Sequence, residues 1–511
     1  MGPVNIYTVT RVRDEELFNI VEKHEAGVHD THRIRIHEID SLRILVDGLT
    51  ECGMTVSEAD GFYFGFTIPQ IGKEFDLLKV TDKHCLNIEL KSQDVSEEAI
   101  LAQLRKNRHY LTHLGKRVIL FTVVTDTLTC YRLTLSDNLV RSDLREIADM
   151  LKKCDVPYDD DIGKSFRASE YLISPMNTPD KFIRGKYFLT PAQEYVKTEL
   201  IRSIDSAESS AASDGDRSGS FFHITGRPGT GKTLLLYDLA RTLSDSGNTV
   251  IIRCGELTEG ERIISREISN LDIISADDLG ISSDIGSYDF VLCDEAQRLS
   301  ISAFEMICRS ADAGGQICIF SSDPEAVLTK AEHGRNIPGR IHALPPDGEF
   351  ELSERLRMNR ELYHFILTLR NLGHKADKPY AYEDVSVNYA NDIPEAVRLI
   401  TYFRSKGYVF INACAPRHSA GEEGSDPFAD LAEEFDVQHI IGREYDKVVM
   451  LMDSSFYYDE NGYLKGVPEP DPDYIYPNLF YQGITRVREK LSLVVLDAPV
   501  LLRNILGIIG N

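Results

Sequence analysis

Three features are scarce in this chain of 511 residues, and each shortage excludes a class of protein. The nine cysteines are scattered singly, with no CxxC pair and no metal-finger spacing, as is typical of small buried residues in a reducing compartment. No apolar run approaches the roughly 18 residues that a membrane-spanning helix needs. The first residues lack the basic-then-apolar pattern of a secretory signal. We therefore expect a cytoplasmic protein without a membrane partner.

Basic residues are also scarce, with 56 Lys and Arg against 81 Asp and Glu and a net charge of -25. This balance argues against a highly basic, non-specific nucleic-acid coat protein. It does not exclude nucleic-acid binding, because phosphate contacts depend on local basic patches. Hydrophobic residues at 42% and charged residues at 27% are typical of soluble globular proteins.

The pattern of apolar runs predicts an α/β protein of several domains. The N-terminal block reads helix, three strands, helix and strand, at residues 40–52, 61–68, 74–81, 85–92, 97–114 and 117–125. Two later blocks alternate strand and helix, as parallel α/β domains do. A Ser- and Asp-rich stretch at residues 206–220 is predicted to be a mobile loop. The predicted domain bounds are 1–135, a helical connector at 136–186, and two further domains at 187–345 and 346–511.

A phosphate-binding motif is the strongest local signal. Residues 226–233 read GRPGTGKT and lie between an apolar strand at 221–225 and a helical run at 234–243. This is the GxxxxGK[ST] pattern in the strand-to-helix context that it requires. Backbone N–H groups wrap the phosphates, the lysine adds positive charge and the threonine hydroxyl can bind Mg²⁺. The residues assigned to ATP on this basis are Gly226, Gly229, Thr230, Gly231, Lys232 and Thr233.

A second apolar strand, at residues 290–293, ends in two acids. Asp294 is placed to hold Mg²⁺, and Glu295 is placed to polarise the attacking water. An apolar strand followed by two acids is common, and its position downstream of the phosphate motif gives it weight. Together the two motifs predict an ATP-hydrolysing site with Thr233 and Asp294 as its metal ligands.

The tetrapeptide DEAQ at residues 294–297 resembles motif II of the superfamily 1 helicases, and further motifs follow in the family's order. LTPAQ at 189–193 resembles the Q-motif, while 352–357, 442–446 and 481–488 resemble motifs IV, V and VI. The resemblance covers roughly residues 187–498, is closest to the compact Schlafen-like ATPase/helicase type, and implies two RecA-like lobes. It also implies nucleotide contacts from Gln193, Gln297, Glu444, Arg357 and Arg486. In the family's pattern Gln193 reads adenine, Arg357 contacts the γ-phosphate and Arg486 is the arginine finger.

Two departures from the helicase pattern limit what the resemblance implies. Motif III usually carries a glutamine that couples hydrolysis to nucleic acid, and Ala326 stands in its place. Motif V usually has Ser or Thr and Lys before its glycine, where this chain has Ile440 and Ile441. Nucleotide hydrolysis is supported by the motifs, whereas processive strand separation is not.

The N-terminal block carries a second constellation of charged residues. Side chains alternate along a strand, so Glu89 and Lys91 share one face, and pairing with the preceding strand would bring Asp76 beside them. Two carboxylates would hold Mg²⁺ or Mn²⁺, and the lysine would help to position water for phosphodiester attack. Gln103 lies on the helix that follows.

The order of elements and the D…ExK signature resemble the PD-(D/E)xK nuclease fold over about 90 residues. The resemblance implies a restriction-endonuclease-like α/β domain in which Asp76, Glu89, Lys91 and Gln103 are catalytic and the two acids bind the metal. That family often adds an acid from the first helix. The candidates are Glu38, the best placed, and Asp40, Asp47 and Glu51.

The sequence thus favours an ATP-dependent nuclease–helicase fusion that acts on nucleic acid, DNA rather than RNA, and suggests a role in antiviral defence by analogy of fold. Three alternatives stay open. They are an ATP-gated switch that does not translocate, an RNA-directed enzyme, and an ATP-dependent nucleic-acid sensor with an inactive nuclease. A homo-oligomer or a partner defence protein is compatible with each of them.

Overall fold

The computed structural model describes residues 2–26, 36–68, 71–93, 95–154, 162–166, 173–214, 219–279, 284–324, 326–344, 347–352, 360–374, 379–413, 428, 431, 443–467 and 474–510. The chain divides into two compact units, Met1–Ala168 and Ser169–Asn511. No helix among these described residues is both long and apolar enough to cross a membrane.

The first unit is an α/β domain built on a six-stranded mixed sheet in the order β1-β2-β3-β4-β5-β6. Its strands are β1 Phe62–Thr67, β2 Glu74–Val80, β3 His84–Lys91, β4 Arg117–Val124, β5 Thr129–Leu133 and β6 Leu139–Ser142. Its helices are α1 Ile6–Thr10, α2 Glu15–Ala26, α3 Ile36–Glu51, α4 Glu97–Thr112, α5 Leu144–Lys153 and α6 Ile162–Ser165.

Connection lengths explain the strand directions in this sheet. Short turns join β1 to β2 and β2 to β3, which pair antiparallel. The helix α4 separates β3 from β4, and these strands pair parallel, since a parallel neighbour needs a crossover. The helix, three strands, helix and strand predicted for residues 40–125 are all present. Residues 139–153, within the predicted connector, instead form β6 and α5, because Leu144, Ile147 and Leu151 are buried in the core of this unit.

The second unit contains two parallel sheets, and the first of them defines lobe 1. Its strands are β7 Ser220–Gly226, β8 Thr249–Arg253, β9 Leu271–Ser275, β10 Phe290–Asp294, β11 Ile317–Ser322 and β12 Gly348–Leu352. The helices are α7 Pro179–Ile183, α8 Pro191–Asp214, α9 Lys232–Leu243, α10 Glu259–Glu267, α11 Ile301–Gly314, α12 Lys330–Arg335 and α13 Ile337–His342. Short 3-10 turns occupy Ala276–Asp278, Ile285–Ser287 and Ala296–Arg298.

The strand order of lobe 1 is β12-β7-β11-β10-β8-β9, and every pair is parallel. One strand, β11, therefore separates the strand before the glycine-rich loop from the strand that ends in Asp294. Both faces of the sheet are covered, so the inner strands β8, β10 and β11 are buried along their whole length, whereas the edge strands β9 and β12 alternate more buried and more exposed residues. This order is that of a RecA-like lobe, as the sequence predicts.

Lobe 2 contains a four-stranded parallel sheet in the order β13-β18-β15-β14 and a two-stranded hairpin, β16-β17. Its strands are β13 Val385–Ala390, β14 Val409–Ile411, β15 Tyr445–Met452, β16 Phe456–Tyr458, β17 Leu464–Gly466 and β18 Val487–Leu496. Its helices are α14 Arg360–Arg370, α15 Ile393–Ser405, α16 Tyr476–Ile484 and α17 Pro499–Ile509.

One local prediction is wrong. Residues 206–214, predicted as part of a mobile loop, belong to α8, which runs from Pro191 to Asp214. Ser and Ala are tolerated on an exposed helix, and the serine hydroxyls of Ser203 and Ser206 donate to carbonyls one turn earlier. Low apolar content therefore did not distinguish the end of a helix from a loop here.

Candidate functional site

The glycine-rich loop connects β7 to α9 in the conformation that a phosphate cradle requires. Gly229 and Gly231 have φ of 79° and 80°, in the left-handed region that favours glycine. At Gly226 a Cβ would lie 2.8 Å from the Leu352 carbonyl oxygen, so a side chain does not fit. The N-cap Gly231 provides no side-chain hydrogen bond to the first turn of α9, which leaves those N–H groups for an anion.

Two side chains of the loop face this cradle. The ammonium group of Lys232 donates to the Gly226 carbonyl at 2.6 Å and to the Arg227 carbonyl at 3.2 Å. The Thr230 hydroxyl donates to the same Arg227 carbonyl at 2.9 Å. Lys232 is buried although it bears a charge. Burial of a lysine against carbonyl oxygens places its positive charge at the centre of the loop, where phosphate groups would bind.

Asp294 and Thr233 converge from neighbouring elements. The Thr233 hydroxyl donates to Asp294 Oδ1 at 3.4 Å, and so does the Ser321 hydroxyl at 3.4 Å. Asp294 Oδ2 is buried and accepts no hydrogen bond within the described residues. Burial, then the nearby Glu295, raises the pKa of Asp294 to about 6. A hydroxyl beside a buried carboxylate oxygen without a donor fits a Mg²⁺ ligand pair.

Glu295 adopts a strained left-handed conformation, with φ of 54°. A non-glycine residue in this region is uncommon, and here the strain falls on the acid that follows Asp294. Burial alone would raise its pKa, but Arg298, Lys232 and Arg486 together lower the pKa of Glu295 to about 2. The Gln297 amide donates to Glu295 Oε2 at 2.6 Å, and its Oε1 accepts from the Asp323 N–H at 3.1 Å.

Lobe 2 contributes to the same site. Arg486 follows α16 and is buried, and its Nε donates to the Gln482 carbonyl at 3.1 Å. Its electrostatic effect on Glu295 places the two lobes at one site. Glu444 is buried too, and its carbonyl accepts from the Asn177 amide at 2.6 Å. Arg357, predicted to contact the γ-phosphate, lies outside the described residues.

Gln193 supports the loop instead of extending away from it. Its Nε2 donates to the Gly231 carbonyl at 3.0 Å, and its Oε1 accepts from the Thr190 N–H at 2.9 Å. The side chain is fully buried. Gln193 therefore joins α8 to the last glycine of the loop, while its predicted contact with adenine stays a prediction.

Two buried arginines were missed by sequence reasoning. Arg253 lies opposite Asp294 in the sheet, and its guanidinium is 3.0 Å from Glu261 and 3.8 Å from Asp294. Arg298 lies 3.8 Å from Glu295. The sequence signal was weak, because an arginine at a strand end or in a turn is usually exposed. Their burial beside two acids balances the charge of the site.

In the first unit, strand pairing brings Asp76 and Glu89 together. The register matches Leu77 with Ile88 across β2 and β3, and the next pair outward is Asp76 and Glu89. Asp76 Oδ2 accepts from the Leu90 N–H at 2.7 Å, which joins the strands at this point. Glu89 is buried and Asp76 half-buried. The predicted convergence of the two carboxylates is thus present in the structure.

Three amides surround the Glu89 carboxylate. Gln103 Nε2, from α4, donates to Oε2. Oε1 accepts from Asn87 at 3.0 Å and from Asn107 at 2.9 Å, and both asparagines are fully buried. Sequence reasoning missed these two residues. The signal was available, because Asn107 lies one helical turn after Gln103 and Asn87 lies two residues before Glu89 on the same strand face.

The electrostatics of this site are dominated by two acids, Asp76 and Glu89, that lie close together. Burial and, to a smaller extent, the nearby Glu89 raise the pKa of Asp76 to about 7, although the Leu90 N–H and Lys91 act to lower it. Burial also lowers the pKa of Lys73, although Glu89 and Asp76 act to raise it. Lys73 is therefore a second lysine of this site that the sequence did not single out. Two carboxylates beside two lysines provide part of the oxygen ligand set that Mg²⁺ or Mn²⁺ takes, and water or phosphate oxygens would complete it.

A third acid does not join them within the described part of the chain, where no group of three or more His, Cys, Asp or Glu residues could hold a metal ion. On α3, Asp40 pairs with Arg43 at 2.8 Å and Asp47 with Arg11 at 2.6 Å. Glu38 and Glu51 are exposed. The additional acid suggested for α3 therefore stays a prediction.

No known family model matches the chain, and no curated protein matches it. Among solved structures, arterivirus nonstructural protein 10, a helicase, has a TM-score of 0.32 and 12% identity, over 56% of this chain and 61% of that one. A Pif1 helicase, from a structure on DNA unwinding at forked dsDNA, has a TM-score of 0.30 and 11% identity, over 62% and 94%. The flagellar accessory protein FlaH of Methanocaldococcus jannaschii reaches 0.20 and 15%, over 25% and 68%. Likeness of this extent carries no conclusion about function.

Proposed function

We propose that the second unit is an ATPase of the superfamily 1 helicase type that acts on nucleic acid, and that the first unit is a metal-dependent nuclease. The observation that supports the ATPase most directly is the buried Lys232 in the glycine-rich loop, beside the Thr233 and Asp294 pair. Arg486 of lobe 2 acts to lower the pKa of Glu295, as expected if closure of the cleft brings an arginine to the nucleotide.

Each residue of the nucleotide site has a defined task in this proposal. The loop N–H groups and Lys232 bind the phosphates, and Thr233 and Asp294 would hold Mg²⁺, which neutralises phosphate charge when bound. Glu295 is kept ionised by its cationic neighbours and orients the attacking water. Arg486 stabilises the negative charge that develops on the transferred group.

The nuclease proposal rests on the cross-strand pair. Asp76 and Glu89 would hold Mg²⁺ or Mn²⁺, which supplies positive charge at the scissile phosphate. Lys91, at the end of β3, would position the attacking water, with Lys73 nearby. Gln103 fixes the Glu89 carboxylate. DNA is favoured as the substrate, and a role in antiviral defence is part of the same proposal by analogy of fold.

A second candidate function is an ATP-gated switch that binds DNA or RNA without unwinding it. The specific observation in its favour is at motif III, where Ala326 replaces the coupling glutamine. The end of β11 is instead linked to the ATPase site by the bond between Gln297 and the Asp323 N–H. Through this hydrogen bond, nucleotide binding can change the position of β11 without a side chain that couples hydrolysis to movement along a strand.

One experiment tests both parts. Labelled single-stranded DNA, double-stranded DNA and RNA are incubated with Mg²⁺ or Mn²⁺, with and without ATP, and both cleavage and phosphate release are measured. Glu89→Ala should abolish cleavage and leave phosphate release intact, while Lys232→Ala should abolish phosphate release and remove any dependence of cleavage on ATP. The variants are each other's control, because they lie in different units.

The outcomes separate the proposals. Metal-dependent cutting that Glu89→Ala does not reduce would remove the nuclease assignment. Phosphate release that survives Lys232→Ala would remove the ATPase assignment. Hydrolysis stimulated by nucleic acid, without strand displacement on a forked duplex, would favour the switch.

A further inference from the structure

A cavity of about 230 Å³ lies in lobe 2, away from the glycine-rich loop. It is enclosed by the end of α14, the hairpin β16-β17 and the helix α16. Its walls include Leu369, Arg370, Tyr463, Lys465, Phe480 and Tyr481. Pockets for drug-sized ligands begin at roughly 300 Å³, so this cavity is suited to one small planar group with its substituent outside.

The lining combines aromatic faces with cations. The Arg370 guanidinium lies 4.6 Å from the centre of the Tyr481 ring, and the Lys465 ammonium lies 5.9 Å from that of Tyr463. Lys465 also pairs with Asp459 at 3.5 Å, which fixes its position at the rim. Tyr463 is 48% exposed and lies at the rim of the cavity, where a ligand can reach it.

The start of α16 completes the lining with Ile475, Pro477 and Asn478. These three residues offer no free N–H group, because Pro477 has none and the N–H groups of Ile475 and Asn478 donate to the Leu328 and Ile475 carbonyls. The positive character of the cavity therefore comes from Arg370 and Lys465, and two cations beside tyrosine rings favour a ligand that is both aromatic and anionic.

We propose that this cavity binds a single nucleotide unit, with the base against Tyr463 and the phosphate near Arg370 and Lys465. Base stacking on tyrosine and phosphate contact with basic side chains are the two elements of sequence-independent nucleotide binding. The unit is either a free mononucleotide or one residue of a single strand, since both carry the same base and phosphate.

The position of the cavity gives its occupant a route to the ATPase site. The helix α16 that lines it ends two residues before Arg486. The start of that helix is joined to lobe 1, because the Ile475 N–H donates to the Leu328 carbonyl and the Asn478 amide to the Val327 carbonyl, both at 2.8 Å. Occupancy should therefore change the rate of ATP hydrolysis, a consequence that rests on the proposed function, whereas binding itself does not.

Binding is measured by calorimetry on the full chain, with the glycine-rich loop saturated by a slowly hydrolysed ATP analogue and Mg²⁺. The probes are 5′-AMP, an oligothymidine strand of about eight nucleotides, and an abasic strand of the same length. Tyr463→Ala should weaken binding of a base-containing probe about fivefold or more, the lower limit for loss of one stacked base. Arg370→Ala should weaken it as well, and Tyr463→Phe should restore it.

Lobe 2 provides matched controls. Tyr402 is 54% exposed, with the Lys406 ammonium 5.7 Å from its ring centre, and neither residue lines the cavity. Tyr402→Ala and Lys406→Ala should leave binding unchanged. A response to 5′-AMP alone identifies a free nucleotide as the ligand, and a response to the strand alone identifies a strand residue.

Three results would overturn the proposal. They are equal effects of Tyr463→Ala and Tyr402→Ala, equal affinity for the abasic strand, and binding that responds to Lys232→Ala but not to Tyr463→Ala. Because no hydrolysis is needed for this measurement, an inactive ATPase site would not obscure the answer.

Discussion

The two sites of this chain are built on opposite plans. The nucleotide site of lobe 1 takes most of its contacts from consecutive residues, 226–233, and mainly from their backbone. The carboxylate site of the first unit takes single side chains from β2, β3 and α4, held together by the strand register. A contiguous backbone site is specified by a local turn, whereas a dispersed side-chain site fails if one strand slips by one residue, since that slip turns Asp76 to the other face.

Substitution of Arg486 should have the largest effect on ATP hydrolysis. This residue tests the part of the proposed nucleotide site that comes from lobe 2, far in sequence from the glycine-rich loop. Arg486→Ala should lower ATP hydrolysis by about 10³–10⁵-fold, as loss of an arginine that stabilises the transferred phosphoryl group does. Steady-state phosphate release measures the loss. Arg503→Ala is the control, since Arg503 is an exposed arginine of α17 in the same lobe. Equal losses in both variants would show that Arg486 has no specific role in hydrolysis.

The next effect concerns the proposed water-orienting acid. Glu295→Gln should reduce hydrolysis by about 10²–10⁴-fold while nucleotide affinity is retained, because the phosphate contacts come from the loop. Affinity for a fluorescent ATP analogue and phosphate release are measured in parallel. The exposed Glu305→Gln serves as the control. Loss of affinity in step with the rate would indicate that the strained conformation of Glu295 supports the loop instead.

A smaller loss of nuclease activity is expected when one of the amides that hold the Glu89 carboxylate in the first unit is removed. Asn107→Ala removes one of the three donors to Glu89 and should weaken metal-dependent cleavage by about 10–100-fold, the range for residues that hold a metal ligand. The metal concentration at half-maximal cleavage should rise, which a general loss of folding would not produce. Asn138→Ala, in an exposed turn, should leave both quantities unchanged. An unchanged metal requirement in Asn107→Ala would contradict the positioning role.

The smallest effect is on stability. The pKa of Asp76 is about 7 in the folded chain and 3.8 ordinarily, so folding favours the protonated acid. Its contribution to stability is complete below pH 3.8 and is lost as pH rises towards about 7. Asp76→Asn should therefore raise the melting temperature of the metal-free protein at pH 8 by roughly 2–8 °C, for a gain of about 1–2 kcal/mol.

At pH 4 the variant and the parent should melt at nearly the same temperature. Thermal unfolding in the presence of a chelator, followed by circular dichroism across this pH range, tests the sign. A variant that is less stable at pH 8 would show that Asp76 is stabilised as a carboxylate, against the crowding of acids described above.

Sequence reasoning was most successful where chemistry is local. The loop at 226–233, the strand that ends in Asp294 and the α/β class follow from patterns of a few residues. The pairing of Asp76 with Glu89 was also foreseen, because strand alternation and a short turn leave few registers. Asn87, Asn107 and Lys73 were not, since single polar residues carry no motif and their role depends on which elements pack together.

Boundaries failed for a related reason. Composition suggested a loop at 206–220 and a connector from 136, yet residues 206–214 extend α8 and residues 139–153 complete the first unit. A stretch with few apolar residues does not reveal whether a neighbouring helix or sheet edge will extend over it.

The sequence by itself predicted the glycine-rich loop, the threonine and aspartate proposed to hold a metal, and the strands that carry the two acids of the first unit. These depend on backbone geometry within one turn or on the two-residue period of a strand, whereas the arginine expected from lobe 2, Arg486, followed from the helicase resemblance. Only the tertiary structure decided that Arg253 and Arg298 lie beside acids and that a cationic aromatic cavity borders α16. Each of these depends on burial and long-range electrostatics, which arise only when elements distant in sequence pack together.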